Sequence, residues 1–181
     1  MSRVHEETDK VIKIVAVKNR QKLLEVIENF SGTDTLIQVI PCDLVVNGVI
    51  LKFILDLTLE LLNSGKNIAK KSHIEFLLRL FARTQIRDVI DIIKGISANV
   101  CWLVMYSKST DVCELYNKLV SEGVIEEVAS SSCQANINKI LSIYDLDEAQ
   151  LAFQAESRSE PLESVLLKAI LEKISMSIVS R

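Results

Sequence analysis

The chain has 181 residues, 49% of them apolar, and a mean hydropathy of +0.26, which is the size of one ordinary domain. Leu, Ile and Val supply 62 of those residues, more aliphatic surface than a disordered chain carries. With 21 Lys and Arg against 24 Asp and Glu the charges nearly balance, which excludes a histone-like polycation and leaves local basic patches open.

Residues Met1 to Lys10 are charged and hold no apolar run, so residues 1–9 are expected to form a flexible terminus, neither signal peptide nor anchor, with one domain over 10–181. Lys10 to Val17 is β-branched and partly alternating, which predicts a strand. Asn19 is placed to cap a helix carrying Leu23, Leu24, Ile27 and Phe30 on one face, and Ser31-Gly32 ends the pattern. A second strand is expected over Thr35 to Ile40, stopped by Pro41.

Leu44 to Leu62 is apolar almost throughout, yet Lys52, Asp56 and Glu60 recur every four residues and stack into one charged stripe on a helix. A membrane span is thereby excluded, and a core helix is predicted from about Asn47-Gly48 to Asn63, with Ser64-Gly65 as its stop.

Ser72-His73-Ile74-Glu75 reads as a capping box, the hydroxyl accepting from the third amide and the Glu reaching back. The helix it opens points Ile74, Leu77, Leu78 and Phe81 inward and breaks near Arg83-Thr84. Thr84 then caps a helix with an apolar face of Ile86, Val89, Ile90 and Ile93, ended by Gly95. The continuous run Val100 to Met105 predicts a strand in the middle of the sheet.

Thr110-Asp111 starts a further helix with Val112, Leu115, Leu119 and Val120 on its face and Gly123 at its end. Ala129 to Cys133 is a small-residue loop, too short to form a linker between separate domains. Ala135 to Tyr144 is helical in pattern, and Pro161 to Ile178 is the last helix, Pro161 taking a favoured first-turn place. These elements predict an α+β fold: a small, mostly antiparallel sheet of about four strands flanked by helices, with a long C-terminal helix.

Catalytic signatures are missing from the sequence. It holds no G-x-S-x-G, no Walker-type glycine loop and no H-E-x-x-H. Cys42, Cys101, Cys113 and Cys133 are too dispersed for a zinc site, and with the chain read as intracellular they are expected to be reduced and apolar in behaviour. His73 is the one histidine away from the terminus, expected as an exposed residue at a helix start.

Charge is distributed unevenly. Lys66 to Lys94 carries seven basic and three acidic residues, giving +4, whereas Asp111 to Arg181 carries six basic and twelve acidic, giving −6. Lys70 and Lys71 precede a helix on which Arg79 and Arg83 lie one turn apart, so a polyanion is a candidate ligand if the loop folds back. The plainer alternative is a solvated helix face on which Glu75 and Arg79 pair at i, i+4.

Asn67-Ile68-Ala69-Lys70, Glu75-Phe76-Leu77-Leu78-Arg79, Gln85-Ile86 and Ile93-Lys94-Gly95-Ile96 follow one another in an order and spacing that resembles the kinase-binding, TPRKB-like subunits of the KEOPS complex. The resemblance runs from about Leu36 to Ile174. It departs at Ala82-Arg83-Thr84-Gln85-Ile86, where relatives usually show a small residue, a Gly and then Arg-Gln-Ile. It implies a cytoplasmic, non-catalytic accessory subunit that binds the small atypical kinase or ATPase of KEOPS. It further implies that the chain holds the single-stranded 3′ CCA end of tRNA for threonylcarbamoyladenosine modification. The candidate RNA contacts are Lys70, Lys71, Arg79 and Arg83, with Gln85 of the family pattern and with Ile74 and Phe81 as possible apolar walls. The resemblance puts the kinase on the last helix, whose apolar positions are Leu162, Val165, Leu166, Ala169, Ile170 and Ile174. No metal, cofactor, membrane or small-molecule substrate is expected. The competing reading is an unrelated α/β enzyme with a site near His73 and the neighbouring arginines.

Overall fold

A computed structural model of the chain describes residues 10–30, 34–93 and 99–179. The expected flexible terminus at 1–9 and the helix-ending Ser31-Gly32 and Gly95 lie outside the described residues. The fold is α+β. In chain order the elements are β1 (Lys10–Val17), α1 (Arg20–Phe30), β2 (Thr35–Pro41), α2 (Gly48–Asn63), α3 (Ser72–Leu80), α4 (Ile86–Ile93) and β3 (Val100–Ser107). Then come α5 (Val112–Ser121), β4 (Ile125–Glu127), α6 (Ile137–Tyr144), α7 (Glu148–Arg158) and α8 (Leu162–Val179).

The four strands form one antiparallel sheet in the order β2-β3-β1-β4. Strand alternation sorts their side chains to two faces. Val11, Val15, Ile37, Leu103 and Met105 pack with Leu23 of α1 and with Val112, Leu115 and Leu119 of α5. Leu36, Ile40, Val104 and Tyr106 pack on the other side with α2, α3, α6 and α8, in the larger of the two clusters. The continuous apolar run of β3 is explained by its internal position, buried from both sides.

The helix ends follow their signals. Asn19, Asn47 and Asp111 accept amide hydrogens from the first turns of α1, α2 and α5. α2 closes in a Schellman motif: Gly65 is left-handed at φ +67°, Lys66 N donates to Leu61 O at 2.9 Å and Gly65 N to Leu62 O at 3.3 Å. Strand β4 and helix α7 are additions to the expected elements: a three-residue strand is too short to show a period, and only Leu151 of α7 is buried.

The cysteine expectation is corrected. Cys42, just after β2, is disulfide-bonded to Cys133, which lies 91 residues away in the small-residue loop. That loop is therefore anchored rather than loose, and Asn136 N donating to Asp43 O at 3.0 Å holds the same place. Cys101 is buried and unbridged, its thiol pushed up to about 11 by burial.

Candidate nucleic-acid interface

The five candidate RNA contacts divide among the two ends of α3 and its interior. Nine helical residues span about 13 Å, so Lys70 and Lys71 before the helix are held apart from Arg83 and Gln85 after it. The expected single groove is not formed.

Arg79 is withdrawn altogether, with 0% of its surface exposed. Its Nε and Nη2 donate to Glu75 Oε1 at 2.8 and 2.5 Å, and Glu75 is itself 0% exposed. The i, i+4 pair expected on a solvated face exists, but inside the protein. Arg79 is thus removed from the candidate contacts, because a side chain with no exposed surface reaches no phosphate.

The capping box is corrected as well. Lys71 is the N-cap and makes no side-chain cap bond, while the Ser72 hydroxyl donates to Thr35 O at 2.6 Å. Glu75 reaches further back than its own helix end: Oε2 accepts from Ile68 N and Ala69 N, both at 2.8 Å. The segment between α2 and α3 folds over the first turn of α3, and burial of Ala69 obliges its amide to find an acceptor.

Lys70 and Lys71 remain exposed on that segment, and among the described residues neither makes an ion pair. A further cation joins them. Ser72 bonds to Thr35, whose hydroxyl lies 3.1 Å from that of Ser107, and Lys108 follows with its Nζ 3.0 Å from Asn63 Oδ1 at the end of α2. Lys108 stands 37 residues from Lys71 in sequence, and only the pairing of Thr35 with Ser107 brings it to this corner. No local sequence signal marks it.

At the other end, Arg83 Nη2 donates to Ile143 O at 2.5 Å and its Nη1 lies 3.8 Å from Asp145, so its head is engaged with the end of α6. The buried Tyr144 hydroxyl donates to Leu80 O, a second tie between α6 and α3, and burial raises its pKa. Gln85 and Arg87 are exposed. Phe81 is 0% exposed and Ile74 is half-buried, so Phe81 is core and no wall. The apolar face expected of α4 is present but only partly covered: Val89 is buried and Ile93 packs against the core, whereas Ile86 and Ile90 are 43% and 39% exposed.

The last helix is corrected in the same sense. Val165, Leu166, Ile170 and Ile174 are at most 2% exposed and belong to the large core cluster; Ala169 is partly buried and packs against it. Of the six expected interface residues only Leu162 faces solvent, at 43%. Asn47 Nδ2 donates to Glu163 Oε1 at 3.4 Å and links the N-cap of α2, a helix expected to be core, to the first turn of α8. Val49 and Phe53, one turn apart on α2, are exposed.

His73 is half-buried rather than exposed, and burial with the neighbouring Lys71 charge lowers its pKa, so it is neutral at pH 7. The groove of about 300 Å³ between α7 and α8 and the apolar pocket of about 320 Å³ between α1 and β2 are both lined without it. Among the described residues, no group of three His, Cys, Asp or Glu side chains is placed to hold a metal ion. No helix among them is long and apolar enough to cross a membrane. No protein-family model matches the chain, and no curated protein matches it significantly.

Proposed function

We propose that this chain is a non-catalytic, cytoplasmic accessory subunit of the KEOPS type, which binds a small atypical kinase and recruits tRNA by its single-stranded 3′ end. The observation that carries the reading is the electrostatics of the α3 corner. Glu75 is the single acidic residue between Ser64 and Arg87, and it is turned inward against Arg79. That corner carries the exposed Lys70 and Lys71 and, by way of the sheet, Lys108, three cations beside the exposed Asp34, whose carbonyl accepts from the Lys108 amide. Exposed lysines on a protein of net charge −3 suit phosphate contacts, and the exposed Ile86 and Ile90 supply apolar contact for unstacked bases.

The kinase is assigned to the exposed apolar face of α2 at Val49 and Phe53, with Leu162 at the start of α8, instead of the buried side of α8. Exposed clusters of large apolar residues mark interfaces. The test is a pair of variants. Phe53→Asp is expected to abolish co-purification with the kinase subunit and leave tRNA binding unchanged. Lys70→Glu/Lys71→Glu is expected to do the reverse and to change the slope of log affinity against log salt by roughly 1.4, at about 0.7 per phosphate on a single strand. Equal binding of intact tRNA and tRNA lacking its CCA end by the wild type overturns the 3′-end reading. The state of Cys42 and Cys133, trapped at lysis of the protein's own cells, tests the compartment: a cytoplasmic chain is expected to hold them as thiols, and a fully formed Cys42–Cys133 bridge overturns that part of the reading.

A further inference from the structure

We infer that the buried Glu75–Arg79 pair is a positioning device for the cationic segment, retained to fix where Lys70 and Lys71 stand rather than to stabilise the fold. The inference rests on the proposed RNA-binding role of that corner.

Three observations carry it. The pair is fully buried, both residues at 0% exposure, yet Arg79 Nη1 is a buried nitrogen without a hydrogen-bond partner among the described residues. Burying a charge pair with one donor unsatisfied is a poor way to gain stability, and well-packed apolar residues in the same volume are often as stable or more so. The carboxylate is then used in a particular way. One oxygen takes both Arg79 donors, and the other takes two successive amides, Ile68 N and Ala69 N, from a different stretch of chain. Arg79 thus orients Glu75, and Glu75 orients the turn.

The turn it orients is the one that carries the lysines. Gly65 and Lys66 leave α2 through the Schellman bonds, and Asn67 Nδ2 donates to Ala69 O at 2.9 Å. Glu75 grips the next two residues, and Lys70 and Lys71 follow at once, outside the grip and exposed. A surface lysine on a mobile loop has to be ordered when it binds a phosphate. One on a turn fixed from below has already lost that freedom, and binding is tighter without a new contact.

The test replaces both partners together, Glu75→Leu/Arg79→Met, and measures stability and the binding of tRNA over a range of salt. The expected result is a folded protein with a somewhat lower denaturation midpoint, since the Ile68 and Ala69 amides lose their acceptor, with tRNA affinity about tenfold weaker and the salt slope unchanged, because the phosphate contacts persist and only their ordering is lost. Wild-type affinity in the double variant, or failure of that variant to fold, overturns the inference. A second measurement uses the unaltered protein: hydrogen exchange at the Ile68 and Ala69 amides is expected to be as slow as in the interior of α3, and exchange at loop rates overturns it equally. Failure of the underlying reading looks different. Lys70→Glu/Lys71→Glu would then leave tRNA affinity unaltered, whatever the double variant did.

Discussion

Helices α3 and α4 follow each other in the chain, and their burial inverts what their sequences suggest. α4 has the cleaner amphipathic pattern, with Ile86, Val89, Ile90 and Ile93 on one stripe, yet Val89 alone is buried. α3 carries a glutamate and an arginine, yet both are buried, as is every residue from Glu75 to Leu80. The difference is one of neighbours. α3 lies against β2, α2 and α8, and a helix surrounded in this way loses its solvent face. Its charges must then satisfy each other or the backbone. α4 packs on α3 along one side and leaves Ile86 and Ile90 in water. A helix's own periodicity reports which face is most apolar; the fold decides how much of the circumference is covered.

The largest effect should come from breaking the α3 pair on one side. Arg79→Ala strands a buried carboxylate with only two amides to hold it, and removal of one partner of a buried pair costs about 3–5 kcal/mol. Chemical denaturation should show that loss, against a smaller one for the double apolar replacement, in which no charge is stranded and only the Ile68 and Ala69 amides lose their acceptor. Equal losses for the two would mean that apolar packing does not replace the pair, and that its bonds to each other and to the Ile68 and Ala69 amides are what α3 requires.

The junction between the two helices sharpens the comparison. α3 ends in a Schellman motif, Arg83 N donating to Leu78 O at 2.9 Å and Ala82 N to Arg79 O at 3.1 Å, with Ala82 left-handed at φ +51°. Glycine takes that conformation without the clash of a Cβ. Ala82→Gly is expected to stabilise the protein by about 1 kcal/mol, seen as a higher denaturation midpoint at unchanged slope. A destabilised Ala82→Gly variant would show that the methyl group is packed between the helices.

How much of this was legible in the sequence follows the same division. Strands β1, β2 and β3, the helix starts at Asn19, Asn47 and Asp111, and the central place of β3 were readable because they depend on residues a few positions apart. The buried side of α8 was also readable as apolar, but apolarity does not distinguish a core face from a docking face, and Val165, Leu166, Ile170 and Ile174 proved to be core. The Cys42–Cys133 bridge and Lys108 were not readable, because each is brought to its place by chain pairing over long separations. The capping box failed for a different reason: Ser72 and Glu75 found partners, Thr35 and the Ile68-Ala69 amides, that exist only once α3 is docked.

His73 gives a pH measurement of the docking of α3. Burial, with the Lys71 charge second, places its pKa below the usual 6.5. The unfolded chain therefore binds more protons than the folded one between the two values, and stability rises with pH in that window. It is fully present above about 6.5 and is lost as pH falls through the folded pKa. His73→Asn should flatten this region of the stability profile. The same slope in both proteins would place the titration elsewhere.

The smallest effect on stability is expected on α4, where it is also the most informative. Ile86 and Ile90 already stand in water by 43% and 39%, so Ile86→Ser/Ile90→Ser removes modest burial and should shift stability little, by about 0.5 kcal/mol per site. If the two side chains are only surplus apolar surface, nothing else follows. If they touch the bases of a single strand, tRNA affinity falls while the salt slope stays fixed, because apolar contact with a base releases no counterions. That outcome separates the two ends of α3 by mechanism: charge at Lys70 and Lys71, apolar contact at Ile86 and Ile90. A loss of affinity accompanied by a flatter slope would instead mean that the serines had disturbed Arg87, and α4 would be a second electrostatic site like the first.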